Sequence, residues 1–155
     1  GCDGVHVGQH DMDIHRVRRI APGLGVGVST HTLEQMDAAL AARPDYVAFG
    51  PVFETSTKMD AESVVGVAGL TTAYAHAHAA GIPLVAIGGV TRERARALVG
   101  AADVVAAIAE LLPARVVLDQ APRKAEWQDE VAGRARRLNE LFAAPPTSVP
   151  TCVGV

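Results

Sequence analysis

Leu84-Val85-Ala86-Ile87 runs without a break into Gly88-Gly89-Val90-Thr91. Four consecutive apolar residues, two of them β-branched, read as a strand buried among neighbours. The glycine pair lets the backbone turn and approach a ligand closely, and Thr91 follows as a helix N-cap. Strand, glycine turn and capped helix make one βα unit. The same grammar extends in both directions. Apolar or β-branched runs at 4–7, 25–29, 45–50 and 103–107 join the one at 84–88, at similar intervals except for one enlarged gap before 84. A βα repeat of this kind predicts a parallel sheet, covered on both faces.

Between the runs lie helical signals. Thr32 stands three residues ahead of Gln35, and Leu33, Met36 and Leu40 share one face. Leu70, Ala73, Tyr74 and Ala77 form the next stripe, stopped by Gly81 and Pro83. A last helix is predicted over about 121–142, burying Trp127, Val131, Ala135, Leu138 and Phe142. Pro145, Pro146 and Pro150 follow in a polar context, so 144–155 reads as a disordered tail behind a single domain at 1–143. Two architectures fit, an open doubly wound sheet or part of a (β/α)8 barrel; five units are too few to close the latter.

Composition narrows the partners. The chain has 155 residues, 49% apolar and 20% charged, with a net charge of −3 and few aromatic residues. It carries no basic stripe or stacking platform for nucleic acid, and no apolar run long enough to span a membrane. Cys2 and Cys152 lie at opposite ends without metal-ligand spacing, which fits a reducing cytoplasm. The chain starts at Gly1, without methionine, in the approach to a strand, and is therefore expected to be truncated. The oligomeric state is left open.

In both architectures ligands bind at the C-terminal strand ends. Those ends are polar or glycine-rich: Gly8-Gln9-His10-Asp11, Ser29-Thr30-His31-Thr32, the long segment Pro51 to Asp60, and Gly88-Gly89-Val90-Thr91. Glycines ahead of a helix start suit phosphate, although a tight turn without ligand would look the same. Thr55, Ser56, Thr57 and Lys58 offer three hydroxyls and an ammonium within four positions, a set matched to a polyanion; the alternative is a solvated loop. Asp11 is a candidate Mg2+ ligand, its alternative role being N-cap of a helix at 12–20. His76 and His78 are two apart on a helix and read as surface residues, and His6 as a satisfied residue rather than a ligand. A Ser29–His31 nucleophilic pair lacks an orienting carboxylate.

Taken in register, Gly4-Val5-His6-Val7-Gly8-Gln9-His10-Asp11, Gly27-Val28-Ser29-Thr30-His31-Thr32, Gly50-Pro51-Val52-Phe53-Glu54-Thr55-Ser56-Thr57-Lys58 and Ile87-Gly88-Gly89-Val90-Thr91 resemble the thiamine-phosphate synthase family across about residues 1–110. The resemblance implies a (β/α)8 TIM barrel of which this chain holds the last five βα units, strands four to eight. It implies a transferase that condenses 4-amino-2-methyl-5-(diphosphomethyl)pyrimidine with 4-methyl-5-(2-phosphoethyl)thiazole, releasing diphosphate. Asp11 would hold Mg2+, Ser29 and Lys58 would act on the pyrimidine diphosphate, and Thr55, Ser56 and Thr57 would cradle the thiazole phosphate. Gly88 and Gly89, with Ile108 and Ala109, would complete that phosphate site. Ala109 replaces the family's usual serine, and Glu54 its usual proline. The first three βα units would bring further diphosphate contacts and a second Mg2+ aspartate. A related thiazole tautomerase shares the barrel, but Asp11 and Lys58 argue for diphosphate chemistry. A non-catalytic phosphate-binding remnant is the other alternative.

Overall fold

Asp13 starts the first helix because Ile14 and Val17 must point into the core, and its carboxylate accepts the amides of His15 and Arg16 at 2.8 and 3.3 Å. This is seen in a computed structural model that describes residues 2–55, 63–112 and 124–143. The elements run β1 (Gly4–Val7), α1 (Ile14–Ile20), β2 (Gly25–Thr30), α2 (Leu33–Ala41), β3 (Tyr46–Phe49), α3 (Gly66–Ala79), β4 (Leu84–Ile87) and α4 (Arg92–Ala95). A 3-10 turn (Arg96–Leu98), β5 (Val104–Ala106) and α5 (Lys124–Ala143) complete the described residues. Thr32 and Thr91 cap α2 and α4 as their sequence positions predict, accepting from the amides of Gln35 and Arg94. Gln35 reaches back to the amide of His31 at 2.7 Å, closing the cap from the other side.

All strand pairs are parallel, and their order in the sheet is the order of the chain, β1-β2-β3-β4-β5. Parallel crossovers are right-handed almost without exception. When every crossover also steps the same way along the sheet, all helices land on one face. That excludes the doubly wound alternative, in which the strand order reverses. Val7, Val26, Val28, Val47, Phe49, Leu84 and Ala86 face the helices and pack with Val17, Met36, Leu70, Ala73 and Ala77 into one core. Asp45 and Asp103, each just ahead of a strand, accept the amides of Val26 and Leu84 on the neighbouring strand at 2.7 and 2.8 Å, which pins the register.

The second face departs from the expected double cover. Successive side chains alternate, so this face carries His6, Ser29, Tyr46, Val85, Ile87 and Val104. Among the described residues nothing packs over it as the helices do over the other: His6 is exposed and Val104 is 51% exposed. The last helix lies where it is predicted. Leu138 is buried, with Leu141 and Phe142 against the core, and Val131 and Ala135 are half-buried. The side chain of Trp127 and the tail at 144–155 lie outside the described residues.

Leu84 is fully buried in β4, between β3 and β5. Leu84→Ala is expected to cost about 2–5 kcal/mol, the lost transfer energy plus a cavity that flanking strands cannot close. Chemical denaturation checks it; a loss below about 1 kcal/mol would mean that β4 is not packed as described.

Candidate functional site

Hydrogen bonds link the C-terminal strand ends in sequence along one rim. After β1 the chain turns at Gly8, whose amide donates to Asp11 Oδ2 at 2.7 Å while the Asp11 amide donates back to the Gly8 carbonyl at 3.2 Å. From the same loop Gln9 Nε2 donates to the Ser29 carbonyl at 2.6 Å. His31 Nδ1 lies 2.6 Å from the Gly50 carbonyl, joining the end of β2 to the end of β3. A carbonyl can only accept, so Nδ1 carries the proton. The amides of Val52 and Phe53 donate to the carbonyls of Ile87 and Gly88 at 2.9 and 3.1 Å.

Gly88 and Gly89 have φ of 96° and 62°, the left-handed region that disfavours other residues. Space forbids a side chain as well: a Cβ on Gly88 would lie 2.5 Å from Pro51 Cα, and one on Gly89 would overlap the Glu54 carbonyl. The glycine pair is thus folded tightly under the segment after β3. Arg94, from α4, donates to the Gly89 carbonyl at 2.8 Å and to the Glu54 carbonyl at 3.5 Å, and lies 5.1 Å from the centre of the Phe53 ring. Sequence reasoning missed this cation. Its signal was an arginine one turn past a cap that follows Gly-Gly.

Asp11 does not cap α1, because Asp13 does. The N-cap alternative for Asp11 is therefore set aside. Its carboxylate is exposed and closes the β1 turn through one oxygen. Magnesium takes one or two carboxylates and completes its shell with phosphate oxygens and water, so an exposed carboxylate with one oxygen uncommitted fits in kind. No group of three or more metal-ligating acidic, histidine or cysteine side chains occurs among the described residues.

Ser29 pairs with a histidine, but with His6 rather than His31: His6 Nε2 and Ser29 Oγ are 2.7 Å apart, and His6 Nδ1 is 2.9 Å from the Tyr46 hydroxyl. Partial desolvation of its ring, otherwise on the exposed face, holds the His6 pKa below its ordinary value, opposed by the nearby Asp11 charge. His76 and His78 lie on the helical surface, bonded to Asp37 and Asp103. Thr55 closes the described part of the segment after β3; Ser56, Thr57 and Lys58 lie outside the described residues. β5 ends at Ala106, so Ile108 and Ala109 follow the strand rather than end it, and both are exposed. Arg134 of α5 fastens the turn after them by donating to the carbonyls of Glu110 and Leu112 at 3.1 and 2.9 Å.

The family model described as thiamine monophosphate synthase matches residues 1–111. The thiamine-phosphate synthase of Anoxybacillus flavithermus is 41% identical over 123 residues, covering 79% of this chain and 56% of the relative. That of Koribacter versatilis is 46% identical over 114 residues, covering 72% and 53%. Among solved structures, a thiamine phosphate pyrophosphorylase from Pyrococcus furiosus superposes with a TM-score of 0.65 at 28% identity, covering 90% of this chain and 61% of that one. A KDPGal structure superposes with a TM-score of 0.59 at 18% identity, a likeness of fold alone. The chain spans little more than half the length of these curated relatives.

Proposed function

The chain belongs to the thiamine monophosphate synthase family, and from that premise we propose that it is the C-terminal part, strands four to eight, of a (β/α)8 barrel that makes thiamine phosphate. The reaction joins the pyrimidine diphosphate to the thiazole phosphate and releases diphosphate. One observation carries the proposal: the matched residues 1–111 contain every rim segment described above. Ser29 and Lys58 contact the diphosphate. Thr55, Ser56 and Thr57 hold the thiazole phosphate, with Gly88, Gly89, Ile108 and Ala109 around it.

The chemistry asks for these residue types. Cleaving the carbon–oxygen bond to diphosphate builds negative charge on the leaving group, which hydroxyl and ammonium donors offset. The aminopyrimidine stabilises the cation left behind. The attacking thiazole nitrogen has no proton to lose, so positioning and charge suffice without a general base. Mg2+, held in part by Asp11, would supply further neutralisation of the diphosphate. Ala109 offers no hydroxyl, which leaves backbone amides for that part of the thiazole phosphate site.

The test is an assay of thiamine phosphate formation from both substrates and Mg2+, using protein extended to the length of the curated relatives. Product in step with released diphosphate is expected. Binding of thiazole phosphate without turnover would replace the proposal with a phosphate-binding role, and isomerisation of the thiazole without Mg2+ dependence would replace it with a tautomerase. In the same assay Asp11→Asn is expected to raise the Mg2+ needed for half-maximal rate by about tenfold, equivalent to about 1.4 kcal/mol. Thermal stability should hold, because Asp13 caps α1 and an asparagine oxygen can still accept from Gly8. A fall in melting temperature with unchanged Mg2+ dependence would make Asp11 a structural residue only.

A further inference from the structure

His6, Gly27 and Tyr46 occupy one row across β1, β2 and β3, since His6 pairs with Gly27 and Gly27 with Tyr46 in the parallel register. The row works because its middle member has no side chain. A Cβ on Gly27 would overlap the Tyr46 ring, so the phenol lies across β2 and reaches the imidazole on β1. The two rings stack, with centroids 5.5 Å apart. The far nitrogen of that imidazole meets Ser29, one strand repeat beyond Gly27 on the same face.

This chain of three groups has a polarity. A neutral imidazole donates from one nitrogen and accepts at the other. If Tyr46 donates to Nδ1, then Nε2 donates to Ser29 Oγ and the serine proton is free for another acceptor. If Ser29 donates to Nε2, its proton is consumed and only lone pairs remain. A phenol O–H is a stronger hydrogen-bond donor than an aliphatic hydroxyl. The first arrangement wins. Gln9 fixes the serine from its other side, through the Ser29 carbonyl at 2.6 Å.

We propose that Tyr46 and His6 are positioning residues that hold the Ser29 hydroxyl as a hydrogen-bond donor for the phosphoryl oxygens of the diphosphate substrate. Gly27 is the notch that lets them meet. The inference rests on the reading of Ser29 as a diphosphate contact. A donor is what an anion requires, and the reversed arrangement would set lone pairs against it.

The experiment begins with the tautomer in the free protein. In chain labelled with 15N at imidazole and held near pH 8, above the ordinary histidine pKa of about 6.5, two-bond proton–nitrogen spectra show which His6 nitrogen is protonated. His6→Gln assigns the signals. The proton is expected on Nε2, and Tyr46→Phe is expected to move it to Nδ1 or divide it between the two. Binding of inorganic diphosphate with Mg2+ is then titrated. Ser29→Ala and Tyr46→Phe are each expected to weaken it about tenfold, the scale of one hydrogen bond to a charged group. Their combination should be no weaker than Ser29→Ala alone, because both remove the same donor.

Gly27→Ala provides a second route, displacing the phenol while leaving all three polar side chains in the chain; it should match Tyr46→Phe. A proton on Nδ1 in the unmodified chain, diphosphate affinity unchanged in Tyr46→Phe, or additive losses in the double variant would each overturn the relay, and the diphosphate reading of Ser29 would stand if Ser29→Ala still weakens binding. Unchanged affinity in Ser29→Ala would remove Ser29 from the anion site and overturn the relay with it.

Discussion

Gly89→Ala is expected to destabilise the protein by about 2–5 kcal/mol and to abolish measurable phosphate binding at the rim. Two costs combine. At a φ of 62°, an L side chain meets its own carbonyl, worth about 1–2 kcal/mol. The new methyl would also stand 2.8 Å from the Phe53 carbonyl and overlap that of Glu54. Both are backbone atoms that cannot rotate away, and forced overpacking of this kind costs about 1–3 kcal/mol. Relief requires lifting the segment after β3 off the glycine pair, breaking the bond from the Phe53 amide to the Gly88 carbonyl and the grip of Arg94. Against a domain stability of about 5–15 kcal/mol the variant should still fold. Denaturant midpoints and calorimetric titration with inorganic phosphate check the two effects separately. An unshifted midpoint would refute the close approach, and phosphate binding equal to the unmodified chain would place the anion elsewhere.

That glycine pair was legible because its backbone constraint is local. A strand that ends in Gly-Gly before a capping threonine constrains its own backbone, and β4, the turn and the Thr91 cap lie where those eight residues place them. The other strands were legible for the same reason, within one or two residues of the apolar runs that make them. Helix starts were less so where two caps compete. Asp11 and Asp13 are equally good cap residues by type, and only the burial of Ile14 and Val17 selects the second. Least legible was anything set by register. Nothing local to His6 shows that its partner is Ser29, because the pairing follows from which residue of β2 lies beside which residue of β1. Strand order is equally invisible in an alternation of strand and helix. Periodicity left the one-way order open between two architectures; the family resemblance implied it, and the pairing of the strands shows it, with one face left without helices.

Lys58→Ala is expected to lower the turnover of protein extended to the length of the relatives by about a hundredfold or more, the scale on which one transition-state charge stabiliser acts. The expectation rests on sequence, because Lys58 lies outside the described residues. Thr55-Ser56-Thr57-Lys58 follows the Gly50-Pro51 end of β3 and is the only run in the sequence between Gly4 and Thr91 that gathers three hydroxyls and a lysine. In the proposed reaction a lysine in that company would add what hydroxyls lack, a full positive charge to meet the charge growing on departing diphosphate. Because that charge grows as the bond breaks, the loss should appear in kcat more than in KM. Lys58→Arg should recover part of the rate, keeping the charge while misfitting its placement. Melting temperature is expected to barely move. Steady-state kinetics on the three proteins, varying each substrate in turn with the other saturating, is the measurement. A change confined to KM would make Lys58 a binding residue for the ground state, and an unaltered rate would remove it from the proposed site.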